Sequence, residues 1–445
     1  MQLIADLHLH SKYSRAVSQN MMLSEISYFA KIKGIKLVAT ADWTHPLWFK
    51  SISEELKEIY PGIYTLKEKP KESYFILATE ISSIYSQNNK LRRIHNLVFS
   101  PSFEVSTKIN NQLIKYGFNL MADGRPIINL SAKELLELIL NIDEKTFLIP
   151  CHIWTPWFSL YGSNSGFDSI EECFGEYSKY IYAIETGLSS DPIMNWQIRE
   201  LEDRSIVSFS DAHSGIKLGR EATVFIFNQS KQQQDKEIEF SYEDIIKAFK
   251  KDTTGKLKIG YTIEFFPEKG KYHWSGHRNC NVRFSPLEIR EKGRVCPVCQ
   301  KPLTIGVEDR VWQLSNHFYK SKDLFFLKNS VGLTFVYDKE KKRRPFVSTV
   351  PLFEILLEIN NNSQTKALKE YQRLINLSSE FDILLKKTYQ EIKILGGERL
   401  AQAIKIIRER QVYVEPGYDG VFGKIKIFQD NKEDVNYQNN QQSLF

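Results

Sequence analysis

The chain has 445 residues, a hydrophobic content of 42% and a formal net charge of +6. Two or three domains are expected at this length, and the hydrophobic content is typical of a globular rather than a disordered protein. No run approaches the roughly 20 apolar residues of a membrane span, and residues 1–12 lack a signal-peptide pattern. We therefore expect a cytoplasmic protein with no membrane partner. The small positive charge permits a nucleic-acid partner without requiring one.

The first half of the chain alternates short apolar runs with helical patterns. Seven runs are predicted to be strands, at residues 2–9, 35–41, 74–79, 95–99, 147–151, 181–185 and 206–210. Between two of them, the segment SAKELLELIL begins with Ser131 and carries Glu134 three residues later, which is a capping box that starts a helix. Repeated strand–helix units predict an α/β fold with a parallel sheet, either open or closed into a barrel.

The opening stretch MQLIADLHLH places His8 and His10 on one face of the first strand, with Asp6 below them. An isolated pair of this kind is more often two core histidines than a metal site. Here, however, other predicted strands also carry acids and histidines at or near their ends, namely Asp42, His45, Glu80, His95, His152, Glu185, Asp211 and His213. Because such ends converge at one mouth of a parallel barrel, we expect these side chains to form a metal site. Carboxylates mixed with imidazoles suit Zn, Mn, Fe or Mg.

Two short motifs in the middle of the chain predict a second, structural metal site. HRNC supplies His277 and Cys280, and CPVC supplies Cys296 and Cys299. Two tight ligand pairs separated by a short loop are typical of a closed tetrahedral Zn²⁺ site. The remaining two cysteines, Cys151 and Cys173, are expected to be ordinary buried thiols.

Composition changes along the chain predict four parts. Residues 1–268 are expected to form the barrel, 269–310 a zinc ribbon, 311–430 a mainly helical C-terminal region and 431–445 a flexible tail. Within the third part, VYVEPGYDGVFGKIKIF indicates two strands joined by a turn. The run at 339–345, KEKKRRP, suits either DNA phosphates or a solvated loop.

The segments DLHLHS, ATEI, HNL, CHIW and SDAHS resemble the polymerase-and-histidinol-phosphatase (PHP) superfamily of distorted (β/α)7 metallo-phosphoesterase barrels. The resemblance implies one metal bound by His8, His10, Glu80 and Asp211. Glu80 would bridge to a second metal held by His95 and His152. The third would use His213 with Asp42 or His45, because Trp43 replaces the histidine that usually follows the aspartate.

Residues around this site have roles that the sequence leaves open. We expect Asp6 to orient a histidine rather than to bind metal. Glu185 has either a site role or a structural role in the turn after its strand. Arg220 either binds a phosphate or makes a surface salt bridge.

The order of barrel, ribbon, helices and PGYDGVFG resembles the endonuclease Q family over nearly the whole chain. That resemblance implies a metal-dependent endonuclease that nicks DNA 5′ to uracil, hypoxanthine or xanthine and at abasic sites. His8, His10, Glu80, Asp211 and His213 would form its catalytic centre. Zn²⁺ is expected in the barrel as well as in the ribbon, with Mg²⁺ or Mn²⁺ as further candidates, and a replication clamp is a further candidate partner.

Two other functions remain open from the sequence. One is a small-molecule phosphatase of the histidinol-phosphate type, which would have little use for the ribbon. The other is a DNA-binding module on an inactive barrel, for which the altered Asp42–Trp43 motif leaves room.

Overall fold

The computed structural model describes residues 2–228 and 239–428. The predicted tail at 431–445 lies outside these ranges. Contacts divide the chain into two units, Met1–Gly187 with Asp203–Thr262 (unit 1) and Leu188–Glu202 with Ile263–Phe445 (unit 2). The first boundary was expected at 268, and the segment Leu188–Glu202, expected in the barrel, belongs to unit 2. Within unit 2 its Trp196 packs against Tyr319 and Phe346, which explains that grouping.

The described strands, in chain order, are β1 Gln2–Asp6, β2 Leu37–Ala39, β3 Leu56–Tyr60, β4 Ile63–Leu66, β5 Tyr74–Ile76, β6 Ala78–Gln87, β7 Lys90–Phe99, β8 Ile127–Ile128, β9 Phe147–Pro150, β10 Ala183–Glu185, β11 Ser205–Val207, β12 Ala222–Phe227, β13 Leu257–Glu264, β14 Ser275–His277, β15 Val282–Phe284, β16 Leu324–Lys328, β17 Thr334–Asp338, β18 Phe346–Ser348, β19 Tyr413–Glu415 and β20 Lys424–Lys426. All seven predicted strands are present, although most are shorter than expected.

The described α-helices are α1 Leu23–Lys33, α2 Pro46–Glu55, α3 Phe103–Lys115, α4 Ala132–Ile142, α5 Ile170–Phe174, α6 Pro192–Trp196, α7 Tyr242–Phe249, α8 Pro286–Lys292, α9 Val307–Leu314, α10 Leu352–Ile359, α11 Gln364–Ile375 and α12 Tyr389–Arg408. The predicted capping box of α4 is confirmed, since the Ser131 hydroxyl accepts from the Glu134 amide and the Glu134 carboxylate accepts from the Ser131 amide. Helix α12 is interrupted at Gly397, whose φ is 83°.

Unit 1 is an α/β unit, and its strands fall into several ladders. One ladder runs β12-β1-β2-β5-β4-β3, with β1, β2 and β5 parallel. A second runs β8-β6-β7-β9, and β10 pairs in parallel with β11. The α/β class is thus confirmed. A closed barrel is not confirmed, because the hydrogen-bonded ladders remain separate.

Several strands of unit 1 are buried on both faces, which explains why they are visible in the sequence as apolar runs. All four residues of β9 are buried, as are all three of β2 and of β10. Strands enclosed in this way read as continuous hydrophobic segments. Polar residues in or next to such strands are therefore easy to recognise in the sequence, and several of them lie in the metal centre described below.

Unit 2 contains the ribbon motifs and most of the C-terminal elements. The predicted hairpin around PGYDGVFG is confirmed as antiparallel β19 and β20. The expectation of a mainly helical region was incomplete, because β16, β17 and β18 form an antiparallel ladder between α9 and α10. Four of the five residues of β16 are exposed, so its pattern lacks the alternation that marks a half-buried strand.

Candidate metal centre

Residues from strands β6 and β7 and from the segments after β1, β9 and β11 come together in unit 1. The segment after β1 is fixed beside the segment after β11, since the His10 amide donates to the Ala212 carbonyl at 3.0 Å. The side chains of His8, His10 and Glu80 are fully buried. The structure therefore gathers side chains that lie up to about 200 residues apart in the sequence.

Glu80 occupies the middle of the cluster. Its Oε1 lies 2.6 Å from His95 Nδ1 and 3.2 Å from His152 Nε2. Its Oε2 lies 3.2 Å from His10 Nε2. One carboxylate thus faces imidazoles from both predicted metal positions, as a bridging ligand must. The ligand atoms of Glu80, His95 and His152 lie within 4.8 Å of one another.

A second triad consists of His8, His10 and Asp211, whose ligand atoms also lie within 4.8 Å of one another. Asp211 Oδ1 is 3.2 Å from His10 Nε2 and 3.7 Å from His8 Nε2. The Asp211 side chain is 29% exposed, whereas both histidines are fully buried. Asp211 therefore lies on the side of the cluster that solvent can reach.

Two further carboxylates orient the two histidines that follow β1. His8 donates from Nδ1 to Glu185 at 2.9 Å, and His10 donates from Nδ1 to Asp42 at 3.1 Å. Both histidines are thereby held with Nε2 turned toward the carboxylates of Glu80 and Asp211. This is the arrangement in which an outer carboxylate fixes the tautomer of a metal-binding imidazole. For Glu185 the structure thus favours an orienting role.

The donor set fits a divalent cation. His8 Nε2, His10 Nε2 and Asp211 Oδ1 are buried and have no hydrogen-bond partner. An imidazole lone pair facing carboxylate oxygens at 3.2–3.7 Å is unfavourable unless positive charge lies between them. A bound cation satisfies all of these atoms at once, so the residues present fit the predicted metals.

Electrostatics lead to the same conclusion. Burial lowers the pKa of His8, but the charge of Glu185 and hydrogen bonds to carboxylates outweigh burial, so its pKa lies well above the usual value. For His10, burial is outweighed in the same way by Asp42 and Asp211. Burial raises the pKa of Glu80, yet His95 and Arg125 hold it well below its usual range. The cluster thus requires positive charge, from protons or from a metal.

The two candidates for the third metal position differ. Asp42 already accepts hydrogen bonds from the Ser11 amide and hydroxyl and from the Ser14 hydroxyl, besides that from His10. Its geometry favours an orienting role over a ligand role. The ring of His45 stacks on Tyr13 at 4.3 Å, with its Nδ1 buried and unpartnered. As metal ligands both residues stay predictions.

His213 lies beside the cluster on its exposed side. Its ring centre is 4.9 Å from that of His10, and its Nδ1 donates to the Asp211 carbonyl at 2.8 Å. Its Nε2 takes no part in this hydrogen bond. The role of His213 in a third metal position stays a prediction.

The structure places two predicted site residues differently. Asp6 was expected to orient a histidine, but it accepts from the Ser210 amide and hydroxyl and from the Gly219 amide. It therefore fixes the loop that presents Asp211. Arg220 donates to the Ser210 carbonyl at 3.0 Å, so it supports the same loop, and phosphate binding by Arg220 stays a prediction.

Arg125 is a further residue of the centre that was not predicted from the sequence. Its guanidinium lies 3.0 Å from Glu80 Oε2, and its side chain is 25% exposed. The charge of Glu80 raises the pKa of Arg125, so the cation is permanent. Arg125 stands in the loop DGRP before the two-residue strand β8, too short a strand for its apolar pattern to reveal it.

The backbone is strained where it presents the site. Asp42, His152 and Asp211 have φ values of 35°, 29° and 46°, which non-glycine residues rarely adopt. Each stands in the loop after a strand. Such strain persists only where the surroundings over-determine it, and it concentrates at functional sites.

No protein-family model matches the chain. An uncharacterised protein of Methanocaldococcus jannaschii is 31% identical over 279 residues, which are 62% of this chain and 31% of that protein. The chain thus spans about a third of the length of that relative. The uncharacterised protein YqxK of Bacillus subtilis is 26% identical over 447 residues, covering 96% of this chain and 99% of YqxK.

Two solved structures resemble the chain over almost its whole length. The lesion-specific endonuclease PfuEndoQ of Pyrococcus furiosus has a TM-score of 0.78 at 28% identity, covering 98% of this chain and 99% of PfuEndoQ. Endonuclease Q in complex with a 27-mer duplex substrate with an abasic lesion at the active site matches with the same TM-score and identity, covering 98% of this chain and 100% of the other. The chain thus resembles endonuclease Q in its structure. Its placement in the PHP superfamily is consistent with this likeness.

The endonuclease Q-like chain also brings its two ribbon motifs together in unit 2. Ligand atoms of His277, Cys280, Cys296 and Cys299 lie within 4.8 Å of one another. Cys299 Sγ is 3.3 Å from His277 Nδ1. This cluster could bind a metal such as zinc, and four protein ligands would leave no open position. Among the helices described, none is long and apolar enough to cross a membrane.

One glycine of the endonuclease Q-like chain controls the position of His152. Gly187 has φ +52°, and a Cβ added there would lie 2.3 Å from His152 Cβ. We expect Gly187→Ala to displace His152 and to remove about one metal equivalent per chain, measured by elemental analysis. Gly117→Ala is the matched control, because Gly117 has φ +88° with no neighbour within 4 Å of an added Cβ. In both variants an alanine has to adopt a left-handed backbone conformation, which costs about 1–2 kcal/mol. Only Gly187→Ala also creates the contact with His152, so the difference between the variants reports on that contact. Equal metal content in both would contradict this role.

Proposed function

We propose that the chain is a metal-dependent DNA endonuclease that nicks DNA beside damaged sites. The observation that supports this best is the buried centre of Glu80, His8 and His10, whose imidazole Nε2 atoms have no hydrogen-bond partner and face carboxylates. The full-length likeness to a lesion-specific endonuclease adds the class of substrate.

The chemistry proposed for the centre is phosphodiester hydrolysis by water. Divalent cations held by these residues would polarise the phosphoryl group and lower the pKa of a bound water toward neutrality. Glu185 and Asp42 hold the imidazoles in the ligand tautomer. Arg125, exposed on one side and fixed by Glu80, is placed to receive a non-bridging phosphate oxygen.

We propose further that the lesions include deaminated bases as well as abasic sites. A cavity of about 460 Å³ in unit 2 is large enough for a base. Its lining includes Trp274, Trp312, Phe318 and Tyr319 beside the carboxyls of Glu268 and Glu308. Enzymes that read a base edge take the base out of the stack and hold it between aromatic side chains.

The acids of this cavity have an unusual protonation state. Burial raises the pKa of Glu268 and that of Glu308 to about 7. Glu268 Oε2 is buried without a hydrogen-bond partner, while Glu308 Oε2 accepts from Trp274 Nε1 at 2.7 Å. A neutral carboxyl offers one donor and one acceptor, which can pair with the N–H and C=O edge of uracil or hypoxanthine. In unit 1, Trp43, Trp48 and Trp154 are fully buried, so they are not available to stack on a base.

Trp312→Ala should separate base reading from cleavage. The Trp312 ring is half-buried and lines the cavity. Loss of a stacking partner costs about 1–3 kcal/mol, so we expect nicking at deoxyuridine to fall roughly 5- to 150-fold. Nicking at an abasic site, which has no base to stack, should stay within about twofold. Phe326→Ala, which removes an exposed ring on β16, is the control. An equal loss on both substrates by Trp312→Ala would contradict a base-binding cavity.

The proposed function is tested with duplexes that carry one deoxyuridine, one deoxyinosine or one abasic site, against the unmodified duplex. We expect a metal-dependent nick on the 5′ side of the lesion and none in the unmodified duplex. Absence of any nick with Zn²⁺, Mg²⁺ and Mn²⁺ would reject the proposal. Phosphate release from small monoesters with DNA untouched would favour the phosphatase alternative. Metal bound only by the ribbon would favour an inactive barrel.

A further inference from the structure

Cys151 lies in the metal centre, although its sequence context indicated an ordinary buried thiol. It follows β9 directly and is fully buried. Its Sγ, a ring nitrogen of His8 and a carboxylate oxygen of Glu80 all lie within 4.8 Å of one another. Its hydrogen bond to the Ile149 carbonyl is 3.9 Å long, which leaves the sulfur weakly engaged.

The His8 nitrogen that is available to a metal is identified by its other contacts. His8 Nδ1 donates to Glu185, whereas Nε2 is buried and has no hydrogen-bond partner. His8 Nε2, which lies 3.7 Å from Glu80 Oε1, is thus the nitrogen available to a metal that a carboxylate oxygen and the buried thiol sulfur would share. Each of them is a donor that transition metals accept.

The dimensions suit a metal ion. Bonds of about 2.3 Å to sulfur and about 2.0–2.1 Å to nitrogen place tetrahedral ligand atoms about 3.6 Å apart. The three atoms therefore have to approach each other by no more than about 1.2 Å.

We propose that Cys151 is a metal ligand that makes one position of the centre selective for soft divalent ions. The triads Glu80–His95–His152 and His8–His10–Asp211 contain only nitrogen and oxygen donors. The triad with Cys151 adds a thiolate, which favours Zn²⁺, Co²⁺ or Cd²⁺ over Mg²⁺ or Mn²⁺. On binding, the thiol proton is released to solvent as the sulfur–metal bond forms. This inference concerns metal binding alone, so it stands or fails independently of DNA cleavage.

The test uses the full chain with zinc retained in the ribbon and Co²⁺ loaded into unit 1. We expect a thiolate-to-cobalt absorption band in the near ultraviolet from wild type. Cys151→Ser, which is nearly isosteric, should lose this band and bind Cd²⁺ at least about tenfold more weakly at one position while keeping its Mn²⁺ affinity. Cys173→Ala is the control, because Cys173 is buried in α5 and belongs to no metal-binding group among the described residues.

The zinc and cobalt contents of each sample verify that zinc still occupies the ribbon, so that the ribbon thiolates do not contribute to the cobalt band. If Cys151→Ser retains the full band and the full Cd²⁺ affinity, Cys151 is not a ligand. A wild-type protein with cobalt in unit 1 and no such band would also overturn the proposal. Cys151→Ala provides a second variant without any donor atom, and its melting temperature without metal verifies that the fold persists.

Discussion

Asp211→Asn should lower the rate of nicking by about a thousandfold, which corresponds to about 4 kcal/mol of transition-state stabilisation. Asp211 Oδ1 faces His8 and His10 and has no hydrogen-bond partner. An amide in its place removes the negative charge and would bind a divalent cation more weakly than the carboxylate. Because the Asp211 side chain is 29% exposed, the amide can be solvated, and the variant should fold.

DNA affinity should change little in this variant. Binding depends on contacts between basic side chains and phosphates, and these are untouched. The informative set of measurements is single-turnover nicking, metal content and duplex affinity on the same preparation. Asp203→Asn, an exposed aspartate of unit 1, is the matched control and should behave as wild type. Nicking by Asp211→Asn at a near wild-type rate would show that the centre is assigned to the wrong residues.

Polar residues at strand ends could be predicted from the sequence more reliably than the contacts that these residues make with one another. Buried strands such as β2, β9 and β10 appear as apolar runs, so Glu80, His152 and Asp211 at or near strand ends are conspicuous. The role of each of these side chains depends on its neighbours in the folded structure. Asp42 was a ligand candidate and the role of Glu185 was open, and in the structure each accepts a hydrogen bond from a histidine Nδ1.

The contacts of some residues were not visible in the sequence, because their partners are distant in the chain. Arg125 stands before a two-residue strand, and Cys151 looked apolar because cysteine is among the most buried residue types. Asp6 was predicted to share a face with His8 and His10, but its carboxylate accepts hydrogen bonds from the Ser210 and Gly219 amides. No pattern within ten residues could reveal a partner more than two hundred residues away.

Cys296→Ala should remove one metal ion per chain and destabilise the ribbon by about 4 kcal/mol or more. The ribbon has a small apolar core, in which Phe284, Ile289 and Leu303 surround Cys296. A core of this size cannot by itself offset the conformational entropy of the ordered loops, so metal ligation has to contribute folding free energy. The expected readout is a new low-temperature unfolding transition together with the loss of one zinc.

The control for this prediction is Cys173→Ala, which also removes a buried sulfur but no predicted ligand. Both substitutions leave a similar small cavity, so their difference isolates the metal. Addition of a strong chelator to wild type should reproduce the Cys296→Ala transition, whereas Cys173→Ala should still respond to the chelator. Equal melting curves for the two variants, with unchanged zinc, would mean that the four ligands lie close together without holding a metal. The destabilisation is expected to be local, because the donor atoms of the centre in unit 1 are separate residues, and catalytic metal content should therefore be the same in both variants.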